Sequence, residues 1–372
     1  MGVAKITLDG ETLIDLTSDT IKASTLMKGS TAHDAKGDLI TGELESGGAI
    51  IEREDNTGGG LTITIDNASE DESVSIFAKY IESDGGKDIT SLPTTTTKIG
   101  YGIFAYCINL ALTSLPSGVT TIGSSAFHSC VKLALTSLPS GITSIGDYAF
   151  YNCANITLMS LPDGITKIEN STFNGCTKLA LTSLPSSLTS IGDFAFYKCS
   201  GLTVTNLPDT LTSIGKYAFF EDSELKLSTL SSGLKTINEY AFRNCTNMPL
   251  ESIPDAVTSI GSYAFDCCSN LKIETLPKGI TTVNNYVFGH CSSINNLIIP
   301  DNIKSIMENA FNSCTNLATL DFKGTPTFLS SKAFSSCSSL KNIYVPWSEG
   351  AVSNAPWGAT NATITYNYTS EA

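Results

Sequence analysis

The stretch LTSLPSGITSIGDYAFYNC, residues Leu135–Cys153, recurs almost unchanged as LTSLPSSLTSIGDFAFYKC, residues Leu181–Cys199. A third version, MSLPDGITKIENSTFNGC, lies between them at Met159–Cys176. Several near-identical segments in one chain indicate a structure that is assembled from one repeated part. The sequence therefore predicts an array of similar units, and the repeat is the first feature to define.

The repeat has a period of 23 residues and runs through eleven copies without an insertion or a deletion. A phenylalanine marks each copy at Phe104, Phe127, Phe150, Phe173, Phe196, Phe219, Phe242, Phe265, Phe288, Phe311 and Phe334. A cysteine follows three residues later in ten copies, at Cys107, Cys130, Cys153, Cys176, Cys199, Cys245, Cys268, Cys291, Cys314 and Cys337. Isoleucine recurs from Ile99 to Ile306, with Val283 as a conservative exception.

A period of this length with apolar residues at fixed offsets predicts a leucine-rich-repeat solenoid of about eleven coils. One copy buries too few side chains to offset the ordering of its backbone, so the coils are stable only as a stack. Within a copy, we expect the segment LALTSLP to form a short parallel strand that ends at the proline. The following SIGDYAFYNC should turn back through a short helical or 3₁₀ segment.

Late copies such as LKNIYVP, Leu340–Pro346, space their apolar residues differently from LALTSLP, so we expect the strand geometry to change along the array.

The two ends of the chain do not follow the period. We predict a small N-terminal module at 1–50, a linker and N-terminal cap at 51–88, the solenoid at 89–346 and a C-terminal cap at 347–372. LTITI, Leu61–Ile65, alternates as a strand does, and SVSIFAKYI, Ser73–Ile81, suits a cap on the first coil. Trp347 and Trp357 would cover the last apolar face.

The charge excludes several classes of partner. With 22 Lys and Arg against 36 Asp and Glu, the net charge is −14, which opposes binding to nucleic acid or to anionic lipid. No apolar stretch is long enough to span a membrane, so we expect no membrane insertion. The first residues, MGVAKITLDGETLIDLTS, lack the basic segment and apolar run of a signal peptide.

The cysteine ladder reads best as small buried residues with free thiols. Stacked coils hold the side chains parallel, too far apart for the geometry that a disulfide prefers. Cys267 is the cysteine outside the ladder and the best candidate for a reactive thiol. His290-Cys291 beside Cys267-Cys268 is the nearest approach to a metal cluster, but the ladder already explains Cys268 and Cys291, so we predict no metal site.

We also expect no enzymatic activity and no cofactor. The sequence contains no phosphate-binding loop, dinucleotide fingerprint or Ser-His-Asp order, and its carboxylates show no pairing for acid–base chemistry.

Two surfaces are candidates for binding. The position two residues before the ladder phenylalanine is aromatic in six copies, and this stripe would suit a sugar or a partner loop. The stripe consists of Tyr148, Phe194, Tyr217, Tyr240, Tyr263 and Tyr286. It could equally cover the edge of the solenoid. A ladder of Thr113, Thr136, Thr182 and Thr205 is either a polar platform or strand-forming filler.

The sixth copy, FFEDSELKLSTLSS, Phe219–Ser232, departs from the repeat at two positions, with Asp222 for the cysteine and Ser231 for the proline. Asp222 should accept hydrogen bonds from backbone N–H groups in the turn; the alternative is an acidic contact or cation site with Glu221 and Glu224.

The consensus L-P-x-G-I-T-x-I-G-x-x-A-F-x-x-C resembles the BspA-like, or Treponema-type, bacterial leucine-rich repeats over Leu92–Pro346. The resemblance implies a right-handed solenoid without catalysis and an adhesin-like role, in which a protein or glycan on a cell surface is bound outside the cell. TAHDAKGDLITGE, 31–43, and VPWSEGAVSNAPWGATNATITY, 345–366, resemble segments of phage tail and prophage proteins. They imply the alternative of a virion-borne structural protein that recognises the bacterial host surface.

Overall fold

The computed structural model describes the backbone of six strands between residues 5 and 65, and then both backbone and side chains of 91–369 apart from residues 93 and 95. The predicted cap at Ser73–Ile81 and the end of the predicted linker lie outside these described residues. The chain divides into two compact units, Met1–Ile156 and Thr157–Ala372. No helix occurs in the part of the chain that the structure describes.

The first unit begins with two antiparallel sheets, one with strand order β2-β1-β3-β4 and one formed by β5 and β6. Their strands are β1 (Lys5–Leu8), β2 (Glu11–Asp15), β3 (Thr31–His33), β4 (Leu39–Thr41), β5 (Ala49–Arg53) and β6 (Leu61–Ile65). The strand predicted at LTITI is therefore confirmed as β6. The first coils follow with the parallel sheet β7 (Lys98–Ile99), β8 (Thr121–Ile122) and β9 (Ser144–Ile145).

The second unit continues with three parallel sheets, of strand orders β10-β11-β12-β13-β14, β15-β17-β19 and β16-β18-β20-β21. Two-residue strands form the first two sheets: β10 (Lys167–Ile168), β11 (Ser190–Ile191), β12 (Ser213–Ile214), β13 (Thr236–Ile237), β14 (Ser259–Ile260), β15 (Thr282–Val283), β17 (Ser305–Ile306) and β19 (Phe328–Leu329). Longer strands form the third: β16 (Asn296–Ile299), β18 (Thr319–Phe322), β20 (Asn342–Tyr344) and β21 (Thr363–Thr365).

The register of these sheets is the sequence period. Thr121 pairs with Ser144 in the first unit and Ser190 pairs with Ser213 in the second, each one repeat further along the chain. In each two-residue strand the second side chain is buried, and it belongs to the isoleucine ladder in nearly every coil. Each unit thus contains a parallel solenoid of 23-residue coils, as the repeat predicts. The hand of the coil stays a prediction.

The prediction that LALTSLP forms a strand is wrong for the early coils. Leu133–Pro139 contains no strand, and the strand of that coil follows the proline at Ser144–Ile145. Leu133 and Leu135 are buried, but Thr136 and Ser137 are both exposed, so the alternation that a pleated strand needs is broken.

The late coils do form a strand at this position, because buried side chains alternate there with more exposed ones. In β16, Leu297 and Ile299 are buried, and Asn296 and Ile298 are exposed. The expected change in strand geometry along the array is therefore confirmed, and it consists of added strands.

The turn predicted as helical or 3₁₀ is instead a run of tight turns, with two left-handed residues in each of the first ten coils and one, Ser336, in the eleventh. In the third coil these are Tyr148 at φ 57° and Asn152 at φ 56°. Between them the carbonyls of Ala149 and Tyr151 accept hydrogen bonds from Phe127 and Ser129 of the preceding coil, at 2.8 and 2.7 Å. The left-handed residues aim alternate carbonyls at the neighbouring coil, and this interrupts any continuous helix.

The core of each unit is a column of phenylalanine rings. Phe104, Phe127 and Phe150 stack with centroids 5.3 and 5.4 Å apart in the first unit. In the second unit, neighbouring rings from Phe173 to Phe334 stack in the same way. Beyond Phe334 the chain forms one more, irregular turn. Its β21 pairs in parallel with β20, and the buried Trp357 accepts the N–H of Phe334 at 3.0 Å.

Candidate functional site

The aromatic stripe forms a continuous column of rings in the second unit. We call Phe194, Tyr217, Tyr240, Tyr263 and Tyr286 the tyrosine column. Neighbouring rings stack within 8° of parallel, with centroids 4.8, 4.5, 4.8 and 4.8 Å apart. All five side chains are partly exposed. The sixth member of the stripe, Tyr148, lies in the first unit, where its ring contacts Tyr151 at 5.9 Å.

Every residue of the tyrosine column is left-handed, with φ between 54° at Tyr286 and 60° at Tyr240 and Tyr263. This conformation costs an L-residue roughly 1–2 kcal/mol, and glycine or asparagine adopts it most readily. Other coils do place such residues here, for example Gly102 and Asn309, and two coils have serine. The coil therefore folds without an aromatic ring at this position.

Stacking determines what the column offers to a partner. Because the three inner rings have both faces covered by their neighbours, the column presents mainly ring edges and, at four positions, phenolic hydroxyls. Partial burial raises the pKa of Tyr217 and Tyr263 further above neutral pH, so these hydroxyls remain hydrogen-bond donors.

A second row of side chains lies beside the column, one residue after each ladder phenylalanine. Tyr197 and Phe220 stack at 5.0 Å, and both also contact Tyr217. The next coil places Arg243 in this row. Its guanidinium lies 5.8 Å from the ring centres of Phe220 and Tyr240 and 5.7 Å from that of Tyr263. The flank thus combines aromatic edges with two cations, Arg243 and Lys198, whose Nζ lies 5.2 Å from the ring centre of Tyr197.

Asp266, which follows Arg243 in this row, is the best-anchored charged group of the flank. Its carboxylate is 2% exposed, accepts from Arg243 Nε at 2.8 Å through Oδ2, and lies 2.9 Å from His290 Nδ1 through Oδ1. Cys267 lies next to it and is partly exposed. Burial, and then the Asp266 carboxylate, raise the pKa of the Cys267 thiol, which is therefore neutral at physiological pH.

Neither Asp266 nor Arg243 is a candidate from the sequence alone, although the period contains the signal that places them. Cys267 and His290 occupy the same offset in consecutive coils, and Asp266 follows Arg243 by one period. Side chains one period apart are neighbours in a solenoid, so the spacing alone makes Asp266 a neighbour of Arg243 and His290 a neighbour of Cys267.

The cysteine ladder lies in the core and forms hydrogen bonds between coils. The thiol of Cys130 donates to the Phe104 carbonyl at 2.9 Å, and Cys245 donates to Phe219 at 3.0 Å. The cysteines of the described coils are free, and those of the ladder are buried. Their burial raises the pKa of the thiols, for example at Cys268, so that they stay protonated.

Asp222 takes the place of the ladder cysteine and is fully buried. Its Oδ1 accepts the backbone N–H of Cys199 at 2.7 Å, which is the backbone bond expected from the sequence. Oδ2 is buried without a hydrogen-bond partner among the described residues. Burial raises the pKa of this carboxyl well above its usual value. The remaining sequence candidates, Thr113, Thr136, Thr182 and Thr205, are exposed on a different part of the coils.

The repeats match the family model of the BspA type leucine rich repeat region, in overlapping stretches at residues 87–180, 143–272 and 235–355. The chain belongs to the BspA-type leucine-rich repeat family. No curated protein sequence matches it. The resemblance of the terminal segments to phage tail proteins stays a prediction.

Solved structures with similar repeats come from several bacteria. A leucine-rich repeat protein of Bacteroides ovatus ATCC 8483 is 25% identical, with a TM-score of 0.53, over 76% of this chain and 85% of that one. A leucine rich cell surface protein of Faecalibacterium prausnitzii A2-165 is 26% identical over 80% of this chain and 93% of that one, with a TM-score of 0.47. The T. pallidum leucine rich repeat protein is 34% identical over 42% of this chain and 72% of that one, with a TM-score of 0.37. The B. ovatus structure supports the leucine-rich-repeat solenoid as the fold of this BspA-type chain.

No helix in the described residues is long and apolar enough to cross a membrane.

Proposed function

We propose that this BspA-type protein is a non-catalytic binding protein that recognises another protein on a cell surface through its tyrosine column. The observation that supports the proposal is the left-handed backbone of five partly exposed aromatic residues, one in each of five consecutive coils. An aromatic side chain is not needed there, because coils with glycine, serine or asparagine at the same offset form the same turn.

Stability alone is a poor reason for the column. A stacked aromatic pair contributes about 0.5–1.5 kcal/mol, while each left-handed L-residue costs roughly 1–2 kcal/mol. Stacking thus only about offsets the left-handed backbone, and the remaining gain comes from the buried part of each ring. The exposed ring edges and hydroxyls add nothing to folding and are left for a function at the surface.

The chemistry of the flank favours a protein over a glycan. Sugars bind aromatic residues by lying on an open ring face, and here the faces are covered by neighbouring rings. Ring edges, phenolic hydroxyls and Arg243 remain, and tyrosine and arginine are the residues that dominate protein–protein interfaces. A rigid, extended row of such groups suits a partner that lies along the solenoid.

The location of the partner is also a proposal. Its support is the BspA-type family, whose members are expected to act at bacterial surfaces. The alternative of a virion-borne protein keeps the same binding chemistry and changes only the carrier; no feature of the described residues favours it.

The test compares two triple variants of the full chain in binding to intact cells. Tyr217→Ser, Tyr240→Ser and Tyr263→Ser use the residue that the chain itself has at Ser125 and Ser171, so the coils should fold. Thr205→Ala, Ser228→Ala and Glu251→Ala change exposed positions of neighbouring coils on the polar platform and form the matched control. Labelled proteins would be offered to a panel of gut bacteria and to epithelium with its matrix proteins.

We expect saturable binding of the wild type and of the control, and at least a tenfold loss of affinity for the tyrosine triple. A loss of affinity that is confined to the control variant would assign binding to the polar platform instead. Binding that disappears after glycosidase treatment of the cells, but survives protease, would contradict a protein partner.

A further inference from the structure

We propose that Asp266, Cys267 and His290 form a binding site for a zinc-like transition-metal ion, with at least one coordination position open to a ligand from outside the chain. Their ligand atoms all lie within 4.8 Å of one another. From the sequence alone no metal is predicted here, because Cys268 and Cys291 belong to the buried ladder; the structure adds the Asp266 carboxylate beside Cys267 and His290. The inference is independent of the proposed role of the tyrosine column.

The solenoid brings the three residues together through its left-handed turns. Cys267 at φ 61° and His290 at φ 58° occupy the second left-handed position of consecutive coils. The N–H of Cys267 donates to the carbonyl of Gly289 at 2.8 Å, which fixes the spacing of the two turns. The side chains of Cys267 and His290 therefore lie on the same flank in adjacent coils. Asp266 precedes Cys267 by one residue in the sequence.

Asp266 is held in place as a metal ligand should be. Arg243 engages its Oδ2 at 2.8 Å, and this leaves Oδ1 directed at His290 Nδ1 at 2.9 Å. Two ligand atoms on a tetrahedral zinc, at Zn–N and Zn–O distances of about 2.1 Å, lie roughly 3.4 Å apart. A small outward movement of the exposed His290 ring would admit the ion. Residues that bind a ligating carboxylate but not the metal itself, as Arg243 would here, commonly orient that carboxylate.

The space for the carboxylate depends on a glycine. A Cβ at Gly289 would lie only 2.6 Å from Asp266 Oδ1, whereas the equivalent positions in the two preceding coils hold Arg243 and Asp266 themselves. The absence of a side chain at Gly289 leaves the room that the carboxylate occupies beside His290.

The donor set selects the class of metal. A thiolate, an imidazole and a carboxylate suit zinc and its neighbours, while calcium and magnesium take oxygen ligands. Three protein ligands leave a tetrahedral ion one free position, which in zinc sites of this kind is filled by water or by a ligand from outside the chain. On binding, the Cys267 sulfur–hydrogen bond breaks, the sulfur bonds to the metal, and the proton passes to solvent. Metal affinity should therefore rise with pH.

The same three residues also have the types of a nucleophilic cysteine triad. The two possibilities predict opposite behaviour toward alkylating reagents.

The experiment uses the metal-free full chain with Co²⁺ as the spectroscopic probe. We expect one equivalent to produce a thiolate-to-cobalt charge-transfer band, and Zn²⁺ to displace it. Cys267→Ser should abolish the band, and Asp266→Asn and His290→Ala should weaken binding by about 10–100-fold. Matched controls are His33→Ala and His128→Ala, which remove the other two histidines of the chain and should leave the band unchanged.

Alkylation of Cys267 gives an independent readout, since bound Zn²⁺ should protect the thiol in the wild type and much less in His290→Ala. Circular dichroism would establish that each variant is folded. The proposal is overturned if the folded wild type gives no charge-transfer band, or if Cys267→Ser binds Co²⁺ as tightly as the wild type. Rapid alkylation that Zn²⁺ does not slow would also overturn it and would indicate a reactive thiol.

Discussion

Replacing Asp222 with the cysteine of the other coils should make the protein more stable at neutral pH. Asp222 is fully buried, and its Oδ2 lacks a hydrogen-bond partner among the described residues. By the register of the ladder, in which Cys245 donates to Phe219, a thiol at 222 would donate to the carbonyl of Phe196. The change removes a buried carboxyl and restores that bond.

At pH values below the ordinary carboxyl pKa, the expected gain is about 1–3 kcal/mol in the free energy of unfolding, the usual cost of one unsatisfied buried polar group, and the loss of the proton at higher pH adds to it. The sign of the pH dependence follows from the raised pKa. The folded state keeps the proton at pH values where the unfolded carboxyl, with its ordinary pKa of 3.8, has lost it. Stability linked to Asp222 is therefore fully present below that value and is lost as the pH rises.

The difference between Asp222→Cys and the wild type should thus widen with pH, by at most about 1.4 kcal/mol per pH unit for one proton. Urea unfolding at several pH values, followed by circular dichroism, measures it. Asp222→Asn is the control, because an amide can accept from Cys199 and donate from its nitrogen without titrating. The reasoning is refuted if Asp222→Cys is less stable than the wild type at pH 7, or if the difference does not change with pH.

Three further experiments test the core and the flank. Phe219→Ala should lower the free energy of unfolding by about 3–5 kcal/mol, because the ring is fully buried between two stacked neighbours; a loss under about 1 kcal/mol would contradict its place in the core. In the native protein, a thiol reagent should label Cys267 before any ladder cysteine, and faster at higher pH since its pKa is raised; labelling that is unchanged in Cys267→Ser would argue otherwise. Gly289→Ala should displace the Asp266 carboxylate and weaken Co²⁺ binding, whereas Gly141→Ala, far from the site in sequence and with its added Cβ 3.9 Å from the carbonyl oxygen of Val119, should not affect it.

The sequence was sufficient for the architecture because the solenoid is built from nearest-neighbour contacts. A fixed 23-residue period places Phe219 over Phe242 and Ser190 beside Ser213 whatever the details of the coil. Buried side chains at fixed offsets therefore predicted the stack, its register and the inward ladders.

The position of the strands and the shape of the turn depended on hydrogen bonds between coils, which local sequence does not specify. LALTSLP has the composition of a strand, yet Thr136 and Ser137 both face solvent, and the pairing lies at Ser144–Ile145. Likewise, Tyr148 is a poor residue for a left-handed position, so its φ of 57° follows from the carbonyls that the turn aims at the preceding coil.

For the candidate binding surface, too, the sequence determined one part and the tertiary structure the rest. The sequence alone determined which residues share a flank, since an aromatic stripe at one offset must line up along the coils. Only the tertiary structure decided that the rings cover each other's faces, and that Arg243, Asp266, Cys267 and His290 converge beside them. The physical reason is that a period fixes the spacing of backbones, while the direction of a side chain depends on the φ of its turn and on the side chains packed against it.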